Sequence, residues 1–333
     1  MKTPASLLPD SRTLTAGLTA ALNSNGDSSR GVKVLDRKLP RFMSTFPNEI
    51  VTCRLPNGRK RRVFIKYTGG QGHSSFGHRG DIAYEAEVYQ RLLRALPEFH
   101  PQCLGVHTDS KRGDTWLVLE YAYGSVRVSD LSFHHSTRQP RALAQSARWI
   151  GEFHAAHETR VGDPEFAFLK RYDTDYYRGW VRRTHKFATP LLGRFPWLTE
   201  LCLRSGEWIA PLLAATPTVI HGEFYAKTVL VRSQRLFMVD WESAAIAPGE
   251  IDLASLTESR NPHPQVARRC ERAYTRARWP DGVPAGFQHT LDAARIYLHF
   301  RWLGERPDWT VREKTLWRFA NLHVTAKKLG LID

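Results

Sequence analysis

Cysteine is scarce in this chain, with four in 333 residues. Cys53, Cys103, Cys202 and Cys270 lie far apart and form no C-x-x-C pair. That spacing excludes a zinc ribbon, a thioredoxin-like motif and a disulfide scaffold, and it suits a reducing compartment. Long apolar runs are missing too: nothing approaches the roughly 18 consecutive apolar residues of a membrane-spanning helix. The opening MKTPASLLPDSRTLT has one lysine and a proline-broken, Ser/Thr-rich composition. It lacks the charged start and apolar core of a secretion signal, so a cytoplasmic location is expected. Acidic residues are also in deficit, 33 Asp and Glu against 48 Lys and Arg, for a net charge of +15. Such an excess attracts polyanions: nucleic acid, anionic membrane surface or phosphorylated small molecules. The arginines recur along the whole length, and no zinc-finger, RNP or KH signature accompanies them, which disfavours nucleic acid. No internal repeat is visible.

What is present is ordinary globular material, 42% hydrophobic and 24% charged, with room for two modest lobes. Residues 1–31 hold two turn-rich clusters around a short helical run, TLTAGLTAALN, and read as a loosely attached, flexible extension. Residues 32–123 are strand-like. EIVTCRLPNGRKRRVFIKY reads as one hairpin whose tight turn, Asn57-Gly58, takes positive φ values; the basic tetrad Arg59–Arg62 is its solvated shoulder. The glycine-rich TGGQGHSSFGHRG precedes a helix with an apolar stripe at Ile82, Val88, Leu92, Leu93 and Leu96. It fits neither a dinucleotide fingerprint nor a Walker loop, and reads as a strand-to-helix connection. TWLVLEY is a buried strand. Residues 124–333 are mostly helical, with helix-like spacing at 139–158, 195–214, 264–279, 286–304 and 310–329. A sheet-rich front and a helix-rich back make an α+β, bilobal arrangement.

The interruption in the helical half is TVIHGEFYAKTVLVRSQRLFMVDWE, two β-rich runs around a loop. Phosphoryl transfer from ATP needs a carboxylate to orient the acceptor hydroxyl and further oxygens to hold Mg²⁺ on the phosphates. Kinase-type loops place the acid five residues before a metal ligand, and a second acidic ligand follows a short hairpin. Glu223 to Thr228 is that step, and Asp240 follows the next strand. The stretch HGEFYAKTVLV…FMVDWESAAIAPGEIDLASL resembles the catalytic core of the aminoglycoside phosphotransferase and choline kinase superfamily, small-molecule kinases of protein-kinase-like fold. The usual pattern there is H-G-D-x-x-x-x-N, then D-W or D-F, then D-L-A. The resemblance is specific over about 35 residues and keeps its order across residues 40–330.

The resemblance implies a nucleotide-clamping N-lobe over 32–123 and a C-lobe over 124–333 that carries the catalytic loop, metal site and acceptor pocket. It implies ATP and Mg²⁺ as co-substrate and metal. Lys66 corresponds to the phosphate-binding lysine, and Glu85 to its helix partner, with Glu87 the nearby alternative. Backbone groups of Glu120 and Ala122 correspond to the adenine-facing hinge, and Ser44 and Thr45 to the phosphate-covering loop. Glu223 and Asp240 take the catalytic roles, Asp240 and Thr228 the metal, and His221 and Asp252 brace the loop. Two positions depart from the pattern: Glu223 stands for the usual Asp, and Thr228 for the usual Asn. The expectation is a phosphotransferase acting on a hydroxyl of a small molecule; the alternative is a weak or inactive nucleotide-binding regulatory module. The net positive charge favours a neutral or anionic acceptor over a polycation. Glu242 is buried nearby or faces the acceptor, Trp241 reads as core, and His134-His135 carries a faint metal suggestion. His154 and His157 read as core packed on the catalytic loop.

Overall fold

In the computed structural model, which describes residues 8–22, 31–40, 45–70, 75–96, 98–109, 113–133, 138–233, 235–258 and 263–333, the chain divides into two compact units. One comprises Met1–Ser125 with Arg232–Glu242, the other Val126–Val231 with Ser243–Asp333. The division departs from the expected boundaries; in particular, the eleven residues carrying Asp240 belong with the first unit, not with the helical one.

The first unit begins with helix α1 (Ser11–Leu22), then strands β1 (Lys33–Lys38), β2 (Asn48–Arg54) and β3 (Lys60–Tyr67). Helix α2 (Ile82–Glu87) continues as a π-helical turn, Val88–Leu92, and strands β4 (Cys103–Asp109) and β5 (Asp114–Glu120) follow. The five strands form an antiparallel sheet in the order β1-β2-β3-β5-β4. The β2–β3 hairpin is as expected, but its turn is different. Only Gly58 has a positive φ, +80°, and its N–H donates to Leu55 O while Arg59 O accepts from Leu55 N–H. Pro56 and Asn57 keep ordinary φ values, so the connection is a type I turn closed by a glycine bulge.

Alternation along β3 sends Val63, Ile65 and Tyr67 to one face, where they pack with Val51, Cys53, Trp116 and Val118. Leu14, Leu18 and Ala21 of α1 complete that core. Residues 11–22 are therefore not the loose extension expected of 1–31: the periodicity of Leu14, Leu18 and Ala21 is that of a helix burying one stripe on the sheet. Lys66 lies on the opposite face of β3, between Asn48 of β2 and Leu117 of β5.

The second unit holds β6 (Val126–Arg127), α3 (Arg138–His157), β7 (Lys170–Arg171), α4 (Thr174–Phe187), α5 (Trp197–Leu203), α6 (Ser205–Ala214), β8 (Pro217–Ile220) and β9 (Val229–Arg232). Strand β10 (Arg235–Met238) lies in the first unit. Then come β11 (Ala245–Pro248), α7 (Glu250–Thr257), α8 (Pro264–Arg278), α9 (Phe287–Leu303), α10 (Pro307–Thr310) and α11 (Trp317–Lys328). β11 runs parallel to β7 and antiparallel to β8, and β6 pairs with β9.

Two expected helices are broken. Arg204, at ψ 14°, separates α5 from α6, and Arg312, at ψ 136°, interrupts the 310–329 run before α11. Helix α4 had no counterpart in the expectation, although Asp173 caps it by accepting from Tyr176 N–H at 2.8 Å. Its buried stripe of Tyr177, Trp180, Val181 and Thr184 has the helical period. Helix α9 is buried on nearly all sides and packs against α4, α6, α7 and α11. No helix among the described residues is long and apolar enough to cross a membrane.

Burial of α1 has a measurable consequence. Leu18→Ala is expected to lower the stability of the first unit by about 2–4 kcal/mol. Urea unfolding followed by tryptophan fluorescence checks it; an unchanged midpoint would show that α1 is not part of the core.

Candidate functional site

In the first unit, three acids and one amine from distant parts of the chain meet. Lys66 Nζ donates to both oxygens of Glu85, at 2.8 and 2.7 Å, and to Asp240 Oδ1 at 2.5 Å. Lys66 is 3% exposed and Glu85 fully buried. Asp81 starts α2 by accepting from Tyr84 N–H at 2.8 Å, which aims Glu85, one turn on, at the sheet. Burial pulls the Lys66 ammonium down, but Asp240, Glu85 and Glu242 overcome it and hold its pKa well above the usual lysine value. Burial, reinforced by Asp240, pushes Glu85 up against the pull of Lys66. Asp240 contributes to both shifts, while burial drives the Glu85 shift and opposes that of Lys66.

Trp241 N–H donates to Glu85 Oε1 at 3.1 Å, and the fully buried Trp241 ring anchors the segment. Asp240 itself sits at φ +75°, a left-handed conformation that costs a non-glycine residue roughly 1 kcal/mol or more. Its carboxylate stays 30% exposed. Glu242, 1% exposed, meets Arg79 Nε at 3.1 Å, so the choice left open between buried and acceptor-facing falls to buried. Glu85, Asp240 and Glu242 each offer an oxygen within 4.8 Å of the others. An all-oxygen carboxylate set with surplus negative charge fits a hard divalent cation such as Mg²⁺.

In the second unit, the loop between β8 and β9 is wired to its surroundings. Asp252, on α7, accepts from His221 N–H at 2.7 Å and from Gly222 N–H at 2.9 Å. Its Oδ2 also lies 3.2 Å from His154 Nε2, while His154 Nδ1 lies 3.0 Å from the Tyr274 hydroxyl. Burial, helped by Arg278 and His157, holds His154 well below the usual histidine value, so it is neutral. His154 is thus core packed on the loop, with Nε2–H donating to Asp252. His221 Nδ1 accepts from Glu223 N–H at 3.3 Å. Gly222, at φ +80°, leaves no room for a side chain: an added Cβ would stand 2.1 Å from Ser243 O.

Glu223 is 4% exposed and its Oε1 accepts from Arg301 Nη2. Arg301, on α9, is 1% exposed. Burial pulls its pKa down, but the Glu223 charge, with Glu305, Tyr225 and Tyr297, more than restores it, so the guanidinium is permanently charged. The Thr228 hydroxyl accepts from Tyr225 N–H at 3.1 Å and points its proton at Glu223 O, 2.9 Å, and Tyr225 O, 3.0 Å. The hydroxyl thus closes the loop on itself.

The remaining expected positions are less informative. Ser44 and His134-His135 lie outside the described residues. Thr45 is half-buried in a bend before β2. Glu120 N–H donates to Gln102 O at 2.8 Å, and Ala122 O accepts from Ser125 N–H at 3.2 Å. Glu87 pairs with Arg91 at 2.5 Å on the surface, away from Lys66. Arg301 and Arg79 had no place in the sequence reading. The one available signal for Arg301 was a lone arginine inside the apolar run IYLHFRWL.

The sequence profile of the APH phosphotransferase enzyme family matches residues 54–290, more than half the chain. Among solved structures, choline kinase from Cryptosporidium parvum Iowa II is similar at TM-score 0.60 and 15% identity, over 97% of this chain and 98% of that one. Choline kinase LicA from Streptococcus pneumoniae gives 0.57 at 13% identity, over 90% and 94%, and LicA is also solved with AMP. An aminoglycoside phosphotransferase from Alicyclobacillus acidocaldarius gives 0.54 at 18% identity, over 89% of each chain. The fold is the protein-kinase-like one of these enzymes, with an N-terminal antiparallel sheet and a helical C-terminal region.

The loop brace has a pH signature. Burial pushes Asp252 up from 3.8 to about 6, against the pull of His221 and the two N–H donors. The folded state therefore holds a proton that the unfolded chain releases near pH 4. The resulting stabilisation is complete below about pH 4 and lost as pH rises through 6. Relative to wild type, Asp252→Asn should gain a few kcal/mol between pH 4 and pH 7; a stability difference independent of pH refutes the raised value.

Proposed function

The chain belongs to the phosphotransferase enzyme family, and from that premise we propose that it transfers the γ-phosphoryl group of ATP to a hydroxyl of a small molecule. The names of the similar structures, choline kinases and aminoglycoside phosphotransferases, support a small alcohol as acceptor. The observation that carries the reading is the buried Lys66 ammonium, held by an acid 19 residues away and another 174 residues away.

In this proposal Lys66 binds the nucleotide phosphates, and Glu85 keeps its ammonium charged and aimed. Asp240 and Glu242 hold Mg²⁺, which when bound neutralises charge building on the phosphate oxygens. The hinge groups of Glu120 and Ala122 receive the adenine, and Thr45 with Ser44 covers the phosphates. Glu223 accepts a hydrogen bond from the acceptor hydroxyl. Arg301 is paired with that carboxylate, so Glu223 orients the nucleophile more than it captures a proton, which suits a loose transition state. His221, Asp252 and the Thr228 hydroxyl fix the backbone on which Glu223 sits.

A second reading, a nucleotide-binding module without turnover, is supported by the same two residues: the Thr228 hydroxyl is tied into the loop and the Glu223 carboxylate is engaged by Arg301. Mg²⁺-dependent ATP binding with no phosphorylated product from any acceptor pool would favour it.

Two substitutions test the assignment. Asp240→Asn is expected to abolish Mg²⁺-dependent turnover in an ATP-consumption assay, and undiminished activity would remove the metal role. Glu223→Gln should lower kcat by about 100-fold or more with the KM for ATP unchanged; equal kcat would show that this carboxylate does not orient the acceptor.

A further inference from the structure

Beside the Glu223 loop, the second unit has a pocket of about 280 Å³ whose lining includes Tyr225, Lys227, Glu258, Trp302 and Arg318. A second hollow of about 240 Å³ shares Trp302 and Arg318 with it and adds Trp309 and Lys314. The Trp302 indole is the common wall. It is fixed by Nε1–H donating to the Tyr225 hydroxyl at 2.7 Å and by stacking on Trp309 at 6.0 Å.

Cations crowd that indole. Arg301 stands 4.5 Å from its centroid, Arg318 4.6 Å and Lys227 5.7 Å. Glu258 is the one acid among the lining residues, and it is already bound to Arg318. Lys227 is exposed and also lies 5.2 Å from the Tyr225 ring. Arg301 is bound to Glu223. What remains toward the pocket is the positive charge of Lys227 and Lys314. A quaternary ammonium seeks an aromatic face bare of cations, and a polyamine seeks several acids; here the indole is crowded by cations and the single lining acid is bound to Arg318. A planar or ring-shaped ligand with an anionic group finds an indole edge and fixed positive charge together.

From this we propose that the pocket is a subsite for an anionic hydroxyl compound, one bearing a phosphate monoester or a carboxylate, with Lys227 as its charge anchor. Its role as acceptor subsite rests on the phosphotransfer reading above.

The test uses the full chain and a small-metabolite extract split by ion exchange into cationic, neutral and anionic pools. Each pool is incubated with wild type and with Lys227→Glu, an exposed substitution, and retained compounds are identified by ultrafiltration and mass spectrometry. Parallel reactions with γ-labelled ATP report product. Retention of non-nucleotide anions by wild type, reduced at least tenfold by Lys227→Glu while nucleotides stay bound, is the expected result. Phosphatase treatment of the anionic pool then separates the sources: loss of the retained compound identifies a phosphate monoester, persistence a carboxylate. Lys227-dependent retention of anions without labelled product keeps the subsite and removes the phosphotransfer reading. Labelled product from the cationic or neutral pool keeps phosphotransfer and overturns the subsite. Absence of Lys227-dependent retention from the anionic pool overturns it as well.

Discussion

A buried ammonium among acids governs the first unit. Taking Lys66 out of water costs several kcal/mol, and only close carboxylates offset that. Removing one partner of such a pair costs about 3–5 kcal/mol, because the other charge stays buried. Glu85 and Asp240 supply the offset, so the placement of α2 on the sheet, against β5, and the left-handed turn at Asp240 are tied to the same requirement. Each is held by something larger: α2 by its Asp81 cap, the Asp240 turn by the buried indole of Trp241. The sheet below is held from its other face by α1.

The second unit solves a related problem with a guanidinium between two acids, Glu223 and Glu305. Glu223 is a longer acid than the loop pattern usually carries, and its carboxylate is held by a guanidinium on the largely buried helix α9. Thr228, shorter than the usual residue, closes the loop through its hydroxyl. The two departures are mutually consistent: a longer arm at the first position is accompanied by a tighter loop at the sixth.

What could be read from the amino acids follows how local each signal is. The β2–β3 hairpin was legible because Asn57-Gly58 announces a turn without help from the rest of the chain, although Pro56 decided its type. Lys66, Glu85 and Asp240 were named in advance through the ordered pattern of a known family, and the coordinates bring their side chains together. Arg301 was invisible because its partner lies 78 residues away, and no spacing rule links a helix interior to a distant loop. The burial of α1 was likewise hidden: a Ser/Thr-rich helix flanked by turn residues looks detachable until the sheet it covers is known. The bonds that the Thr228 hydroxyl makes within its loop were hidden as well, because residue type alone does not say where a hydroxyl proton points.

The discontinuity of the first unit carries a practical consequence. Its last eleven residues are threaded back from the middle of the other unit's sequence. A fragment cut after Ser125 would keep the sheet and the amine of Lys66 but not the acids at 240 and 242 or the indole between them. The protein therefore has no single scission point that yields a free-standing first module. Separating the halves would require grafting residues 232–242 onto the shorter piece.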